Sequence, residues 1–249
     1  MSEARPSDRD PPPRGIGDIV VSSRPYEEYL AMFGLGEAEV VAGPVLDCPG
    51  GASAFARGVR ARGGRAVAVD PVYGTPPRDL VARVRAGLEH GLRYLDQNRE
   101  SYVWSHFDSP EDLTRRRLAG LEEFAAGYTG ADEHHVRAEL PRLPFPDRSF
   151  RLALSAYLLF SYPDHLDEAA HLAGLRELLR VARDEVRIYP LIDTAYQRYE
   201  ALDGLLEALA AEGVTSEVRR TRYAFQRGAD EVLVLRPGGR PGDVGGLPR

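Results

Sequence analysis

The chain has 249 residues, 43% of them apolar and 28% charged, with a formal net charge of −6. Its length and apolar share suit one large α/β domain, and the acidic balance excludes the overall basic field that holds a polyanion, so nucleic acid is not an expected partner. A single cysteine, Cys48, excludes an internal disulfide, and no apolar run reaches the roughly eighteen residues that cross a membrane.

Residues 1–17 are rich in proline and charge and are expected to be disordered. They lack the apolar centre of a signal peptide, so cytoplasmic residence is the expectation. The run VLDCPGGASAF at 45–55 follows. Val45 and Leu46 suit a buried parallel strand near 44–47, with Asp47 at its carboxyl end. Pro49, Gly50 and Gly51 make a tight turn open to close backbone approach by a ligand. A helix is expected from Ala52, with Phe55 and Val59 one turn apart and the Gly63-Gly64 pair as its stop. A second strand, 65–70, closes on Asp70, placed to accept hydrogen bonds from ribose hydroxyls. Strand, glycine turn, helix, then strand ending on an acid is how a nucleoside is bound at a parallel sheet edge, with a plain tight connection as the lesser alternative. The chain contains no lysine, which argues against a phosphate-cradling Gly-x-x-x-x-Gly-Lys loop. Cys48, beside the turn, reads as a small packed residue.

The stretch 72–130 is long for a link between neighbouring strands. Leu80, Val84, Leu88, Leu92 and Leu95 mark one amphipathic helix, and a second starts at SPEDL, with Ser109 as N-cap and Pro110 at the first helical position. Between them lie Tyr102, Trp104, His106 and Phe107, which suit either a substrate-facing wall or ordinary core. Arg115, Arg116 and Arg117 read as a solvated helix face. His134 and His135 stand at the start of a short strand expected near 134–138, without a cysteine or third histidine nearby, so no metal site is expected.

Residues 139–155 read ELPRLPFPDRSFRLALS. This string, with the helix HLAGLRELLRVA (171–182) and the strand EVRIYPLI (185–192), resembles the class I S-adenosylmethionine-dependent methyltransferases, which show an acidic residue, Leu-Pro-Phe-x-Asp-x-Ser-Phe and an apolar strand in that order. The likeness covers roughly residues 24–236. It departs from the family in its first motif, where Pro49, Gly51 and Ser53 stand for three glycines, and at Arg151, where an acid is usual.

The resemblance implies a Rossmann-like fold: a doubly wound, seven-stranded, mostly parallel sheet with strands near 150–155, 185–191, 214–224 and 230–236, the last two an antiparallel hairpin turning at Gly228. One domain is expected over 18–236, with 72–130 as a helical insertion or lid and 237–249 as a disordered tail. Carried over by position, Asp47, Pro49 and Gly51 hold the methionine end of S-adenosylmethionine, Asp70 and Pro71 the ribose, and Glu139 and Leu140 the adenine. Ser155 opens the substrate pocket, and Tyr26 and Tyr29 lie where a helix often covers the cofactor.

For catalysis the candidates are His165, the best base by intrinsic pKa, with Tyr157 and Tyr189. Tyr102, Trp104, His106, Tyr162 and Asp193 are candidate substrate contacts, and Tyr196 follows the same strand as Asp193. The resulting expectation is a methyltransferase acting on a small molecule, as monomer or homodimer, with no membrane or nucleic-acid partner. Two alternatives stand: an enzyme of this fold that consumes S-adenosylmethionine by intramolecular cyclisation or aminobutyrate transfer, releasing methylthioadenosine, and a non-catalytic cofactor-binding protein. A nicotinamide enzyme is disfavoured because no Gly-x-Gly-x-x-Gly turn is present.

Overall fold

The computed structural model describes residues 19–238, so the expectation for residues 1–17 and most of that for the tail lie outside the described residues. Seven strands, β1 (Val45–Asp47), β2 (Ala66–Val69), β3 (His135–Val136), β4 (Phe150–Ala156), β5 (Ala182–Tyr189), β6 (Thr215–Arg220) and β7 (Glu231–Arg236), form one sheet in the order β3-β2-β1-β4-β5-β7-β6. The first five run parallel, and β7 lies antiparallel between β5 and β6. This is the expected doubly wound architecture.

Why the central strands read as continuous apolar runs is visible in β1. Val45 points into a cluster shared with helices α1 (Tyr26–Phe33) and α3 (Phe55–Ala61). Leu46 points the other way, toward α6 (Glu168–Val181) and α7 (Leu202–Ala211). Both faces are covered, so neither tolerates polar side chains. The short α2 (Glu37–Val41) leads into β1, while α4 (Pro77–Gln97) and α5 (Pro110–Ala125) form the long connection from β2 to β3. α5 starts as its sequence dictates: Ser109 Oγ accepts from the Asp112 amide at 3.2 Å and Pro110 takes the first position.

Three boundaries differ from expectation. α3 begins at Phe55, because the Ala52 and Ala54 amides are held by the Ser22 carbonyl (3.1 Å) and the Arg24 carbonyl (2.9 Å) instead of entering a helix. β5 begins at Ala182, directly after α6. β6 ends at Arg220 because residues 221–230 leave the ladder, tucking Tyr223 and Phe225 into the core against the α4–α5 connection. The expected hairpin turn at Gly228 is therefore only the end of a longer link.

α5 lies tight against the chain entering α1. A Cβ on Gly120 would sit 2.9 Å from the Pro25 nitrogen and 3.0 Å from the Arg24 carbonyl carbon, both backbone atoms that cannot swing aside. Gly120→Ala gains up to about 1 kcal/mol of helix propensity but overpacks at a typical cost of roughly 1–3 kcal/mol. The clash should win, and urea unfolding is expected to show a net loss of stability. An unchanged or raised midpoint would show that α5 is free to shift.

Candidate functional site

From β1 the connections run to β2 on one side, while β4 lies on the other, so the crevice beyond Asp47 is the switch point where α/β sheets place ligands. The glycine turn sits there. Gly51 has φ of +52°, a conformation that Cβ-bearing residues avoid. Its amide donates to Asp70 Oδ2 at 2.9 Å, and the Val72 amide donates to Asp70 Oδ1 at 3.0 Å. Asp70 thus braces the turn with both oxygens, each keeping capacity for a further donor. Burial pushes its carboxyl pKa up, against the pull of those two amides.

The room left by the glycines is used by the protein itself. A Cβ on Gly50 would lie 2.5 Å from the Tyr73 hydroxyl, which donates to the Gly51 carbonyl at 2.8 Å. A Cβ on Gly51 would meet the Ser22 carbonyl at 3.0 Å. Residues 19–24 lie across the turn as a strap.

Asp47 is the electrostatic anomaly of the site. It is 1% exposed, and neither carboxylate oxygen has a hydrogen-bond partner of ordinary geometry among the described residues. Burial holds its pKa well above the usual carboxylate range, although the Tyr29 hydroxyl facing it pulls the other way. A buried carboxylate without a cation paired to it is expensive. Such a group is retained where a cationic or hydrogen-bond-donating partner arrives from outside.

Two cavities meet above this floor. The smaller, about 30 Å³, is lined by the strap, Tyr29, Pro49, Gly50, Gly51, Ala156 and Tyr157. The larger, about 150 Å³, lies between the strap, α4, α5 and the 221–230 link, walled by Leu88, Leu92, Leu113, Tyr102, Tyr162 and Phe225. Val20, Val21, Ser22, Arg24 and Tyr157 line both. Tyr157 sits at the partition with φ of +53°, a strained conformation for an aromatic residue. The Arg24 guanidinium lies 4.1 Å above its ring. Its hydroxyl has no partner of ordinary geometry, and burial raises its pKa, so it serves as a hydrogen-bond donor near neutral pH.

Other expected residues fall in several places. Tyr102 and Tyr162 line the larger cavity, Tyr162 also accepting from the Val20 amide at 3.2 Å. Trp104 and His106 form a second layer behind it, Trp104 meeting Phe225 edge-on at 6.1 Å and His106 packing on Tyr223. Tyr189 lines neither cavity but packs edge-on against Tyr157 at 5.5 Å, donating to the Ala229 carbonyl at 2.6 Å. Ser155 is sealed within β4 and lines neither cavity. His165 is exposed on the turn after β4 and lines neither cavity, its ring edge-on to Tyr162 at 6.0 Å. Asp193 spends its Oδ1 on the Ala195 and Gln197 amides. Tyr26 is stacked on Phe55 at 5.8 Å and turned from the cavities; Tyr29, one helical turn on, faces the site instead. Pro71 and Glu139 are exposed, and Leu140 packs against Gly174 on α6. Among the described residues no group of three or more His, Cys, Asp or Glu is arranged to hold a metal. His135 is boxed by Tyr73, Phe124 and Tyr128.

The sequence reading missed the charges at the site. Arg117, expected on a solvated face, is 6% exposed, while Arg115 and Arg116 pair with Asp112 outside. The signal was present: Leu113, Arg117, Gly120, Leu121 and Phe124 follow one buried stripe of α5. Arg117 donates to Glu28 Oε1 at 2.7 Å and to the Ser23 carbonyl at 3.1 Å. Glu28, 1% exposed, also accepts from the Tyr223 hydroxyl at 2.7 Å and pairs with Arg24 Nε at 3.4 Å.

No family model matches the chain, and no curated protein matches it in sequence. Among solved structures it is similar to a protein of Pyrococcus horikoshii (14% identity over 85% of this chain and 91% of that one, TM-score 0.45). It is also similar to the Burkholderia thailandensis 1,6-didemethyltoxoflavin-N1-methyltransferase with bound 1,6-didemethyltoxoflavin and S-adenosylhomocysteine (17%, 84% and 79%, TM-score 0.44). A third is the magnesium protoporphyrin IX methyltransferase of Synechocystis with bound S-adenosylmethionine (14%, 86% and 91%, TM-score 0.42). Likenesses of this degree leave the reading of the site to its own residues. No helix among the described residues is long and apolar enough to cross a membrane.

Proposed function

We propose that the chain is an S-adenosylmethionine-dependent methyltransferase acting on a small molecule. The observation that carries this reading is the buried carboxylate of Asp47, without an ion pair among the described residues and faced by the Tyr29 hydroxyl, under a glycine turn at the sheet's switch point, next to an apolar chamber. Those residues fit the cofactor: Asp47 and the turn would receive its methionine end, whose ammonium supplies the missing donor, and Asp70, with spare acceptor capacity, the ribose hydroxyls. The strap and Tyr29 cover this floor, so loading requires both to shift.

When bound, S-adenosylmethionine supplies a methyl group already activated by the sulfonium charge. The protein's part is placement, which supplies roughly 7–11 kcal/mol, and exclusion of water from a transition state in which charge is dispersed. The larger cavity would hold the acceptor, with α4 and α5 of the 72–130 insertion as its lid and 18–236 as one domain. Tyr157 at the partition orients the acceptor by donating a hydrogen bond. Among the described residues no histidine or carboxylate lines the larger cavity, which favours an acceptor atom already nucleophilic at neutral pH.

The test is to incubate the pure protein with S-adenosylmethionine, alone and with a panel of small nucleophiles, and to separate the nucleoside products. S-adenosylhomocysteine formed only in the presence of an acceptor is expected. Methylthioadenosine from S-adenosylmethionine alone would replace this reading with the cyclising or aminobutyrate-transferring one. Calorimetry showing no heat with either nucleoside would overturn both.

A further inference from the structure

The only charged groups lining the larger cavity are two arginines, Arg24 and Arg117, both more than nine-tenths buried. They share one carboxylate, Glu28, which stands behind them and does not line the space. Other nearby titratable groups add no compensating anion. Burial lowers the pKa of His106 and raises those of Tyr29, Tyr157 and Tyr223, leaving all four neutral. Asp112 is committed to Arg115 and Arg116. Asp47 also interacts with Arg24, but it lies beneath the smaller cavity. The chamber wall therefore carries one positive charge in excess. Arg117 Nε is a buried donor without a hydrogen-bond partner among the described residues, Arg24 Nε reaches Glu28 Oε1 only at 3.4 Å, and the Tyr157 hydroxyl has the Tyr189 hydroxyl beside it. Buried donors and charges in this condition call for an acceptor.

We infer that the chamber takes an aromatic monocarboxylate: one ring against Leu88, Leu92 and Phe225, and a single carboxylate on Arg117, with Arg24 and Tyr157 as further donors. The size follows from the cavity, since about 150 Å³ holds roughly one benzene ring. The single charge follows from two guanidinium groups facing one carboxylate. Arg117 is the main anchor because it lines the larger cavity alone, whereas Arg24 faces both cavities. Naming this anion a substrate rests on the methyltransferase reading; its binding does not.

Trp104 is the sole tryptophan and touches Phe225, so its fluorescence reports on the chamber. Phenylacetate and its neutral isostere phenylacetamide are titrated with and without saturating S-adenosylhomocysteine, whose own binding is measured separately by calorimetry. Phenylacetate is expected to bind at least about tenfold more tightly. Arg117→Gln should erase that preference while leaving phenylacetamide unchanged. Glu28→Gln, which keeps the acceptor oxygen but removes the opposing charge, should enlarge it, an effect that a merely structural role does not produce. Equal affinity of the two probes for the wild-type protein overturns the inference even if neither variant folds. So does equal weakening of both probes by Arg117→Gln. A carboxylate preference without S-adenosylhomocysteine binding overturns the methyltransferase reading alone, and the reverse pattern overturns this inference alone.

Discussion

Replacing Glu28 by alanine is expected to cost the fold about 3–5 kcal/mol, because it leaves Arg24 and Arg117 buried side by side without their common carboxylate. That is a large part of the roughly 5–15 kcal/mol by which domains are stable. Three elements feel it: Glu28 sits on α1, Arg117 on α5, and Tyr223 on the link between β6 and β7. Glu28→Gln retains an oxygen for Arg117 and Tyr223 but removes the same charge, and should cost less than Glu28→Ala while remaining destabilising. Glu27→Ala, one position away and exposed, should change stability by no more than about 0.5 kcal/mol. Urea denaturation of the three variants checks the order. If Glu28→Ala lay within about 1 kcal/mol of wild type, the cluster would be hydrated, and the electrostatic argument for the chamber would fail with it.

Asp47→Asn is expected to act in opposite directions on stability and on ligand binding. A carboxyl group whose folded pKa is raised destabilises the native state progressively as pH climbs above its ordinary value, 3.8 here, toward the folded one. At neutral pH an amide of the same shape removes that cost, so the ligand-free variant should be more stable by roughly 1–3 kcal/mol. The advantage should vanish as pH falls toward 3.8, where the unfolded carboxyl also protonates. S-adenosylhomocysteine affinity should fall about thirtyfold or more, since the methionine ammonium loses a charged partner. Thermal melts across pH with calorimetry at neutral pH decide it. A variant less stable than wild type at neutral pH would mean that Asp47 is satisfied internally, and unchanged affinity would remove it from the cofactor site.

What the residues disclosed in advance was mostly backbone. Apolar runs at 45–47, 66–69 and 150–156, each closing near a turn, made the parallel strands and their order of appearance legible, and Ser109 with Pro110 marked the start of α5. Asp47, Gly51 and Asp70 come together because strand ends and the intervening turn are local matters, decided within some twenty-five residues of chain. The chamber was less legible because its walls come from segments far apart in sequence: the strap, α4, α5 and the 221–230 link. His165 looked attractive by intrinsic chemistry, yet its turn carries it to the surface. Arg117 looked ordinary because a run of three arginines reads as solvated, and only the helical stripe it shares with Leu113 and Leu121 assigns it inward. Arg24 had no periodic signal, since it precedes its helix as part of the extended strap.

Residues 20–22 of that strap, with Arg24, form a wall common to both cavities. One element bordering two cavities ties their binding equilibria together. Whatever occupant of the smaller cavity displaces the strap alters affinity in the larger by some factor, and thermodynamic linkage obliges the larger cavity's occupant to alter affinity in the smaller by that same factor. The size of that factor would therefore be set by residues 20–22 and Arg24, which lie outside every motif by which the chain was first read.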